Sequence, residues 1–435
     1  MKTRHYLVMF LSFALCLSAQ AQKRPMTLED VFRLADENNK SLKASAIGVK
    51  ATEEGLLSAK SSRLPDINTS LSASYIGNGY LWDRNFSNGM PIDMPHFGNN
   101  FSLQVAQVIY AGGAINSGIA LADLGLQMAQ LQHDQKRQEL RFLLVGYYLD
   151  LFKLNNQIRV FDQNIALTEK VIDDIRNREK QGLALKNDIT RYELQLENLK
   201  LQRTRLNNGK NIINYQLTHA IGLDTSIEIE PDSTLTTKEL ASLPESDWQQ
   251  AGNLSSPALR QLDLGVKMNE QKEQLARSAR RPKIALVGEE HLDGPILIEV
   301  PVIDKNFNYW FVGLGLQYDL SSLYKSTHDI RKSRLETQRS LEEKEAVAED
   351  IDNAIHAVFV LYSEAVKSLE ISENALNLAN ENYRMTRNRY DNEMALLTEL
   401  IDASNSKLTA ELYLLNAKIN IVYYYLNLNY LTGNL

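Results

Sequence analysis

The chain repeats itself. Residues 41–67 align without gaps on residues 258–284 at a constant offset of 217, and 10 of the 27 positions are identical. These are Leu42/Leu259, Gly48/Gly265, Val49/Val266, Lys50/Lys267, Glu53/Glu270, Ala59/Ala276, Ser61/Ser278, Arg63/Arg280, Pro65/Pro282 and Ile67/Ile284. Unrelated segments of that length share roughly two, and self-similarity at a long fixed spacing marks a duplicated architecture. A sparser alignment sets 177–222 on 388–433 at offset 211, with 7 of 46 positions identical. It carries Asn177-Arg178 onto Asn388-Arg389 and Gly222 onto Gly433. The 435 residues are therefore two versions of one unit of a little over 200.

Each version reads in the same order. A helix of about 35 residues comes first, from Thr27 to Arg63 and from about Trp248 to Arg280. Thr27 followed by Asp30 has the form of a capped helix start with acidic residues in its first turn. Pro65 and Pro282 end these helices, because proline disfavours helical backbone in the residue before it.

Period two takes over next. Ile67, Thr69, Leu71, Ala73 and Tyr75 alternate with Asn68, Ser70, Ser72 and Ser74, and Phe101, Leu103, Val105 and Ile109 with Ser102, Gln104 and Ala106. In the second version Ile284 and Leu286 open a strand, and Trp310, Val312, Leu314, Leu316, Tyr318 and Leu320 lie opposite Gly313, Gly315, Gln317 and Asp319. Strands are expected over about 66–76, 101–111, 283–291 and 309–320, with polar loops Gly77–Asn99 and Leu292–Asn308 between each pair. Two-faced segments of about ten residues bounded by aromatics (Tyr75, Phe101, Tyr110, Tyr309, Trp310) suit a transmembrane β-barrel; alternation alone also fits a soluble sheet with one wet face. Four strands cannot close a barrel, since bacterial barrels start at about eight, so a membrane role for them demands several copies.

Two long helical hairpins complete the units, over about 113–222 and 324–433. From Asn116 to Gln181 and from Thr327 to Asn392 there is no proline and little glycine; such a helix would run ~100 Å. Heptad phase shows at Leu121, Leu124, Met128 and Leu131 and again at Phe142, Val145, Leu149 and Phe152, with Gln135 and Gln138 in the seam between. The return helices hold a 3-4 spacing, Ile189, Tyr192, Leu196, Leu199, Leu206, Ile213, Leu217 and Ala220 in one. The other has Leu400, Ala403, Ala410, Leu414, Ala417, Ile421, Tyr424, Leu428 and Leu431. Both present a coiled-coil seam. That seam fits a soluble rod as well as a tunnel wall, but a rod has no reason to carry strand pairs. Leu223–Pro244 reads as a connector, with a short strand at Ser226–Ile229.

Residues 1–21 read as a signal peptide. Lys2 and Arg4 precede the apolar run Tyr6–Leu17, and Ala19-Gln20-Ala21 supplies the small-x-small cleavage pattern. The run is shorter than the roughly 20 residues that span a bilayer. Cys16, the only cysteine, falls inside it after Leu15, a poor context for lipidation. Removing Lys2 and Arg4 takes the formal charge from −7 to −9, so nucleic acid is not an expected partner. A cysteine-free mature chain has no disulfide, thiolate metal site or cysteine nucleophile. His133, His219, His328 and His356 are scattered, and no phosphate loop or nucleophile elbow occurs. No enzymatic activity, cofactor or metal is expected.

Taken in order, the signal, the duplicated unit, the Arg-x-Pro lead-in to each first strand, Tyr110-Ala111-Gly112-Gly113 after a strand and the helix-ending Gly222 and Gly433 resemble the TolC-like outer-membrane efflux proteins, or outer membrane factors. The resemblance spans the mature chain, and the order rather than any one motif carries it. It implies a mainly α protein with a small β part, whose trimer shares a 12-stranded β-barrel above a helical periplasmic tunnel. It places the protein in the outer membrane of a Gram-negative bacterium, with a large periplasmic portion, as a passive exit duct. The partners implied are two further copies, outer-membrane lipid, a periplasmic adaptor (membrane fusion protein) and an inner-membrane pump. The division expected is 1–21 signal peptide, 22–222 first repeat, 223–247 equatorial connector and 248–435 second repeat. The competing reading is a periplasmic adaptor or coiled-coil scaffold.

The resemblance also assigns candidate sites. The turns between long and return helices, Gln181-Gly182-Leu183-Ala184 and Asn392-Glu393-Met394-Ala395, correspond to the tips that dock the adaptor, giving Gly182, Leu183, Ala184, Met394 and Ala395. Gly182 equally suits a helix C-cap, and Glu393 departs from the family's glycine. Thr398-Glu399-Leu400-Ile401-Asp402-Ala403 corresponds to a segment with two lumenal acids. Glu399 and Asp402, three apart, share a helix face and are the candidate periplasmic gate. Asp188 holds the position of Glu399 in the first repeat, but Arg191 stands where Asp402 would.

Overall fold

A computed structural model describes residues 23–232 and 243–435; the signal-peptide segment, Cys16 and part of the connector lie outside them. The first repeat runs β1 (Lys23–Met26), α1 (Leu28–Asn38), α2 (Lys40–Ser61), β2 (Asp66–Tyr75), β3 (Gly79–Leu81), β4 (Met90–Ile92), β5 (Phe97–Ala111), α3 (Ala114–Lys180) and α4 (Lys186–Ala220). After β6 (Glu228–Pro231), the second has α5 (Glu245–Ser255), α6 (Pro257–Ser278), β7 (Lys283–Gly294), β8 (Phe307–Gln317), α7 (Ser322–Lys325), α8 (Thr327–Asp391) and α9 (Leu397–Leu431). The chain forms two compact units. One holds residues up to Ile47, Leu131–Arg260 and Glu345–Leu435; the other holds Gly48–Gln130 and Gln261–Lys344.

The first unit is built on helical packing. Thr27 caps α1 as its sequence predicts: Asp30 N donates to Thr27 Oγ1 at 3.1 Å, and Thr27 N to Asp30 Oδ2 at 3.4 Å. Val31 and Ala35 of α1 pack against Leu144, Val145, Tyr148, Leu149 and Leu151 of α3 and Leu217 of α4, with Ile419 and Val422 of α9. That is broader than a two-residue heptad seam, because β1 and β6 close the core from another side. They pair in parallel, Arg24 opposite Ile229. The connector strand thus exists two residues later than its sequence suggests, and its partner strand at the N-terminal side is an element that sequence patterning did not reveal. Phe142, assigned to the seam, stacks on Tyr430 of α9 with ring centroids 4.6 Å apart.

The expected 35-residue helices are each two helices, and both break at equivalent positions. Asn39 leaves the helix (φ −62°, ψ 125°), and so does Ser256 (φ −53°, ψ 125°), 217 residues later. The causes differ. The Asn39 side chain caps the next helix, accepting from Ser41 N at 2.9 Å and Leu42 N at 3.2 Å, while Pro257 forces extended backbone on Ser256. Each break receives the end of its own return helix. Gly222 (φ +72°) lies so close to Asn38 that an added Cβ would sit 2.6 Å from the Asn38 Cβ. Gly433 (φ +76°) lies against Ser255, whose carbonyl oxygen would be 2.7 Å from such a Cβ. Left-handed backbone and close approach both call for glycine there.

The second unit contains one four-stranded antiparallel sheet in the order β2-β5-β7-β8. All four expected strands are present, with shifted ends. β5 begins at Phe97 inside an expected loop, β7 extends to Gly294, and β8 covers 307–317, leaving Tyr318 and Leu320 outside. The loop sequences failed as boundaries because Asn99 and Asn100 pair with neighbours on both sides, Asn99 with Ala73 and Gly294. A small hairpin, β3–β4, occupies the first loop. A bulge between Val108 and Tyr110 interrupts the register of β5 on β7, so the strict alternation ends before Ile109.

Both repeat arginines anchor the strand lead-ins. Arg63 donates to Asn116 Oδ1 at 3.1 Å, and Arg280 to Ser326 Oγ at 2.8 Å and Thr327 Oγ1 at 2.7 Å. Each thus ties the end of one helix to the start of its long helix.

Candidate functional site

Two regions carry chemistry that packing does not require. The sheet of the second unit comes first. Its register puts Ile67, Leu71, Phe101, Leu103, Val105, Leu292, Leu286, Trp310, Val312, Leu314 and Leu316 on one face. The other face carries Ser70, Ser72, Asn100, Ser102, Gln104, Glu289, His291 and Asp293. The apolar side is not buried: Leu71 is 79% exposed and Leu314 72%. Contiguous exposed apolar surface of this extent marks contact with lipid or protein. Among the described residues β2 and β8 each pair on one side only, leaving two open edges. No described helix is long and apolar enough to cross a membrane.

The tips of the two hairpins form the other region. Both long helices end in the same two-bond motif. Leu183 N donates to Arg178 O at 2.9 Å and Gly182 N to Glu179 O at 2.9 Å. At the second tip, Met394 N donates to Arg389 O at 2.8 Å and Glu393 N to Tyr390 O at 3.0 Å. This satisfies carbonyls that a helix end leaves free. Gly182 has φ +77°, and Glu393, despite its side chain, has φ +61°. The departure from glycine therefore keeps the turn geometry. Leu183, Leu185, Met394 and Leu396 are all exposed, while Ala184 and Ala395 are half-buried.

Glu399 and Asp402 lie in the first turns of α9 but in different environments. Glu399 Oε1 accepts from Leu396 N at 3.2 Å, and Glu399 pairs with Arg389 at 3.3 Å. Asp188 makes the equivalent cap on Leu185 N at 3.1 Å, so capping is common to both repeats. Asp402 is exposed.

Sequence reasoning missed the links between the hairpins. Arg387 of α8 pairs with Asp174 of α3 at 2.5 Å and with Asp391 at 3.0 Å. Arg178 reaches the carbonyl of Asp391 at 3.2 Å and covers the Tyr390 ring at 5.2 Å. Its repeat counterpart Arg389 instead folds back on its own turn, donating to Met394 O at 3.0 Å. Beneath them Val171, Ile172, Ile175, Tyr192, Leu196, Leu397 and Leu400 form an apolar cluster. Burial pushes the Tyr192 hydroxyl pKa well above its ordinary value. The one sequence signal was the repeated Asn-Arg pair, which marks the position without saying which way each arginine turns. Among the described residues no cluster of metal-ligating side chains exists.

The family model described as Outer membrane efflux protein matches residues 31–223. No curated protein matches the chain. Solved structures do: the outer membrane protein VceC from Vibrio cholerae superposes with a TM-score of 0.78 at 14% identity, over 93% of this chain and 96% of that one. The CmeC outer membrane channel of Campylobacter jejuni gives 0.75 at 15% identity over 94% and 85%. The open state of the Neisseria gonorrhoeae MtrE outer membrane channel gives 0.73 at 14% over 93% and 88%. At these identities the likeness is one of fold.

Proposed function

We propose that this chain, a TolC-like outer membrane efflux protein, is the exit duct of a tripartite efflux or type I secretion system. Channels of this family are trimeric and work with adaptors and inner-membrane pumps. The observation that carries the reading is the sheet. It exposes an apolar face, lines its other face with polar groups and leaves two open edges. Open edges and unpaired backbone groups cannot stand in hydrocarbon. Joining β8 of one copy to β2 of the next in three copies closes a twelve-stranded cylinder, apolar outside and wet inside. The duct performs no chemistry; the pump supplies the energy.

The hairpin tips are the proposed periplasmic end. Exposed Leu183 and Met394, with Gly182, Ala184 and Ala395 leaving room beside them, form an apolar knob suited to the helical hairpin of an adaptor. Glu399 and Asp402 are the proposed gate, stacking two acidic rings under threefold symmetry that favour cations over anions. Glu399 adds a holding role, since it caps its own helix and pairs with Arg389. A periplasmic adaptor or scaffold would leave the exposed apolar face of the sheet without an occupant.

The test is recovery and conductance. Full-length protein should sediment with outer-membrane fractions, have the native mass of a trimer in detergent and form conducting pores in planar bilayers. Recovery as a water-soluble monomer without pore activity contradicts the proposal.

A further inference from the structure

The polar face of the sheet is not uniformly polar. Phe307, Tyr309 and Phe311 alternate along β8 on the same face as Asp293, His291 and Glu289 of β7, which the register sets directly opposite them. The rings touch. His291 stacks on Tyr309 with centroids 5.0 Å apart and planes 11° apart, and Phe307 continues the stack on Tyr309 at 5.2 Å. Phe307, Tyr309 and Phe311 are nonetheless 53%, 38% and 46% exposed, so an aromatic strip faces what the proposed function makes the water-filled lumen. A wall that only has to be wet gains nothing from such a strip, and exposed apolar patches mark contact sites.

Carboxylates flank this strip. Glu289 lies 3.1 Å from His291 Nε2, and Asp293 accepts from Asn100 and lies 4.0 Å from His291 Nδ1. Across β2, β5, β7 and β8 the one lysine or arginine is Lys283, at the far end of β7. The carboxylates therefore have no lysine or arginine counter-ion within the sheet. Ring faces and carboxylates attract the same kind of guest, a positive charge carried on an apolar or flat frame. Neither feature alone would select it: a bare acidic surface holds any small cation, and a bare aromatic one any apolar solute.

We propose that this strip is a binding site for organic cations on the inner wall of the barrel, near the end where the β7–β8 loop lies. It rests on the reading of the polar face as pore lining. Its affinity is weak, on the order of millimolar, as a site of exposed cation–π and single-charge contacts should be. Such a site holds a departing aromatic ammonium or phosphonium compound briefly and passes neutral and anionic solutes without delay.

Single pores of the full-length protein in planar bilayers test this, with tetraphenylphosphonium or tetramethylammonium added to each side in turn. Tetraphenylphosphonium should reduce the current from one side at millimolar concentration, and ring-free tetramethylammonium should not. Glu289→Gln and Asp293→Asn should each raise the half-blocking concentration about threefold, and Tyr309→Leu by a similar factor. If Tyr309→Leu fails to insert, the two isosteric carboxylate variants decide. Pores that conduct normally, with block absent or unchanged in those variants, overturn the site and leave the duct standing. Absence of pores from the unmodified protein overturns the duct and the site with it.

Discussion

Glu393 stands where the first repeat has Gly182, and both take left-handed backbone (φ +61° and +77°) to close the same turn. A residue with a side chain pays about 1–2 kcal/mol for that conformation. Glu393→Gly should therefore stabilise the second tip by about 1 kcal/mol, slowing hydrogen exchange of the Met394 amide about fivefold. Unchanged or faster exchange would show that the turn is not strained. Two residues into α9, Glu399 holds the Leu396 amide and Arg389, whereas Asp402 is exposed. The amides Glu399→Gln and Asp402→Asn keep hydrogen-bonding capacity and remove charge. The double variant should conduct better and resist block by multivalent cations added at the tip side. Identical conductance and block in variant and parent would take both residues out of the gate. The candidate pair follows from the family resemblance, to which its spacing adds only a shared helix face; the second duty of Glu399 is not legible in sequence, because it depends on how Arg389 turns.

Elements show the same division between what patterning reveals and what contact decides. Strand alternation located β2, β5, β7 and β8, and heptad spacing located α3, α4 and α9, because both signals are written in side-chain polarity; α8 was placed by its lack of proline and scarcity of glycine. The break at Asn39 was hidden by helical spacing that runs straight through it; the break at Ser256 is legible in Pro257, by the same rule that ends helices at Pro65 and Pro282. β1 was hidden because four residues, Lys23–Met26, carry no period. What holds β1 is Tyr148: its hydroxyl donates to Met26 O at 2.8 Å and accepts from Asp232 N at 2.8 Å. Burial pushes its pKa up to about 12. The folded state thus prefers the neutral phenol, and this contribution is intact below pH 10, the unfolded value. It drains away as pH rises from about 10 to about 12, at roughly 1.4 kcal/mol per pH unit. The thermal midpoint of the detergent-solubilised protein should fall across that window, and Tyr148→Phe should flatten the fall. A parent and variant with the same slope would contradict this. At the tips, the Arg387–Asp174 pair joins the two long helices. Half-exposed, it is worth no more than about 1 kcal/mol in stability, yet it bridges the two hairpins beside the proposed gate. Arg387→Gln should raise pore conductance with little change in thermal midpoint; unchanged conductance would leave the pair a mere surface contact.

For the whole molecule, the repeat was the most legible feature and the membrane the least. Offsets of 217 and 211 recur in the structure as paired joints: Gly222 against Asn38 and Gly433 against Ser255. Nothing in those joints speaks of lipid. That inference rests on which face of one sheet is greasy and on edges that a single chain leaves unpaired; alternation suggests the first and the count of four strands the second, but which strands form the edges is decided by the sheet order. The aromatic strip of Phe307, Tyr309 and Phe311 escaped notice for a related reason, since aromatics at strand ends read as boundary residues until the register shows which side they take.

In the proposed duct the apolar face of the sheet touches lipid and the polar face touches water. Single cysteines at Leu71, Leu314, Ser102 and Gly313, in a Cys16→Ala background, can each carry a spin label in protein reconstituted into bilayers. Labels at 71 and 314 should collide freely with oxygen dissolved in the bilayer and be shielded from a water-soluble nickel chelate, with labels at 102 and 313 showing the reverse. Nickel access at all four positions would contradict the account.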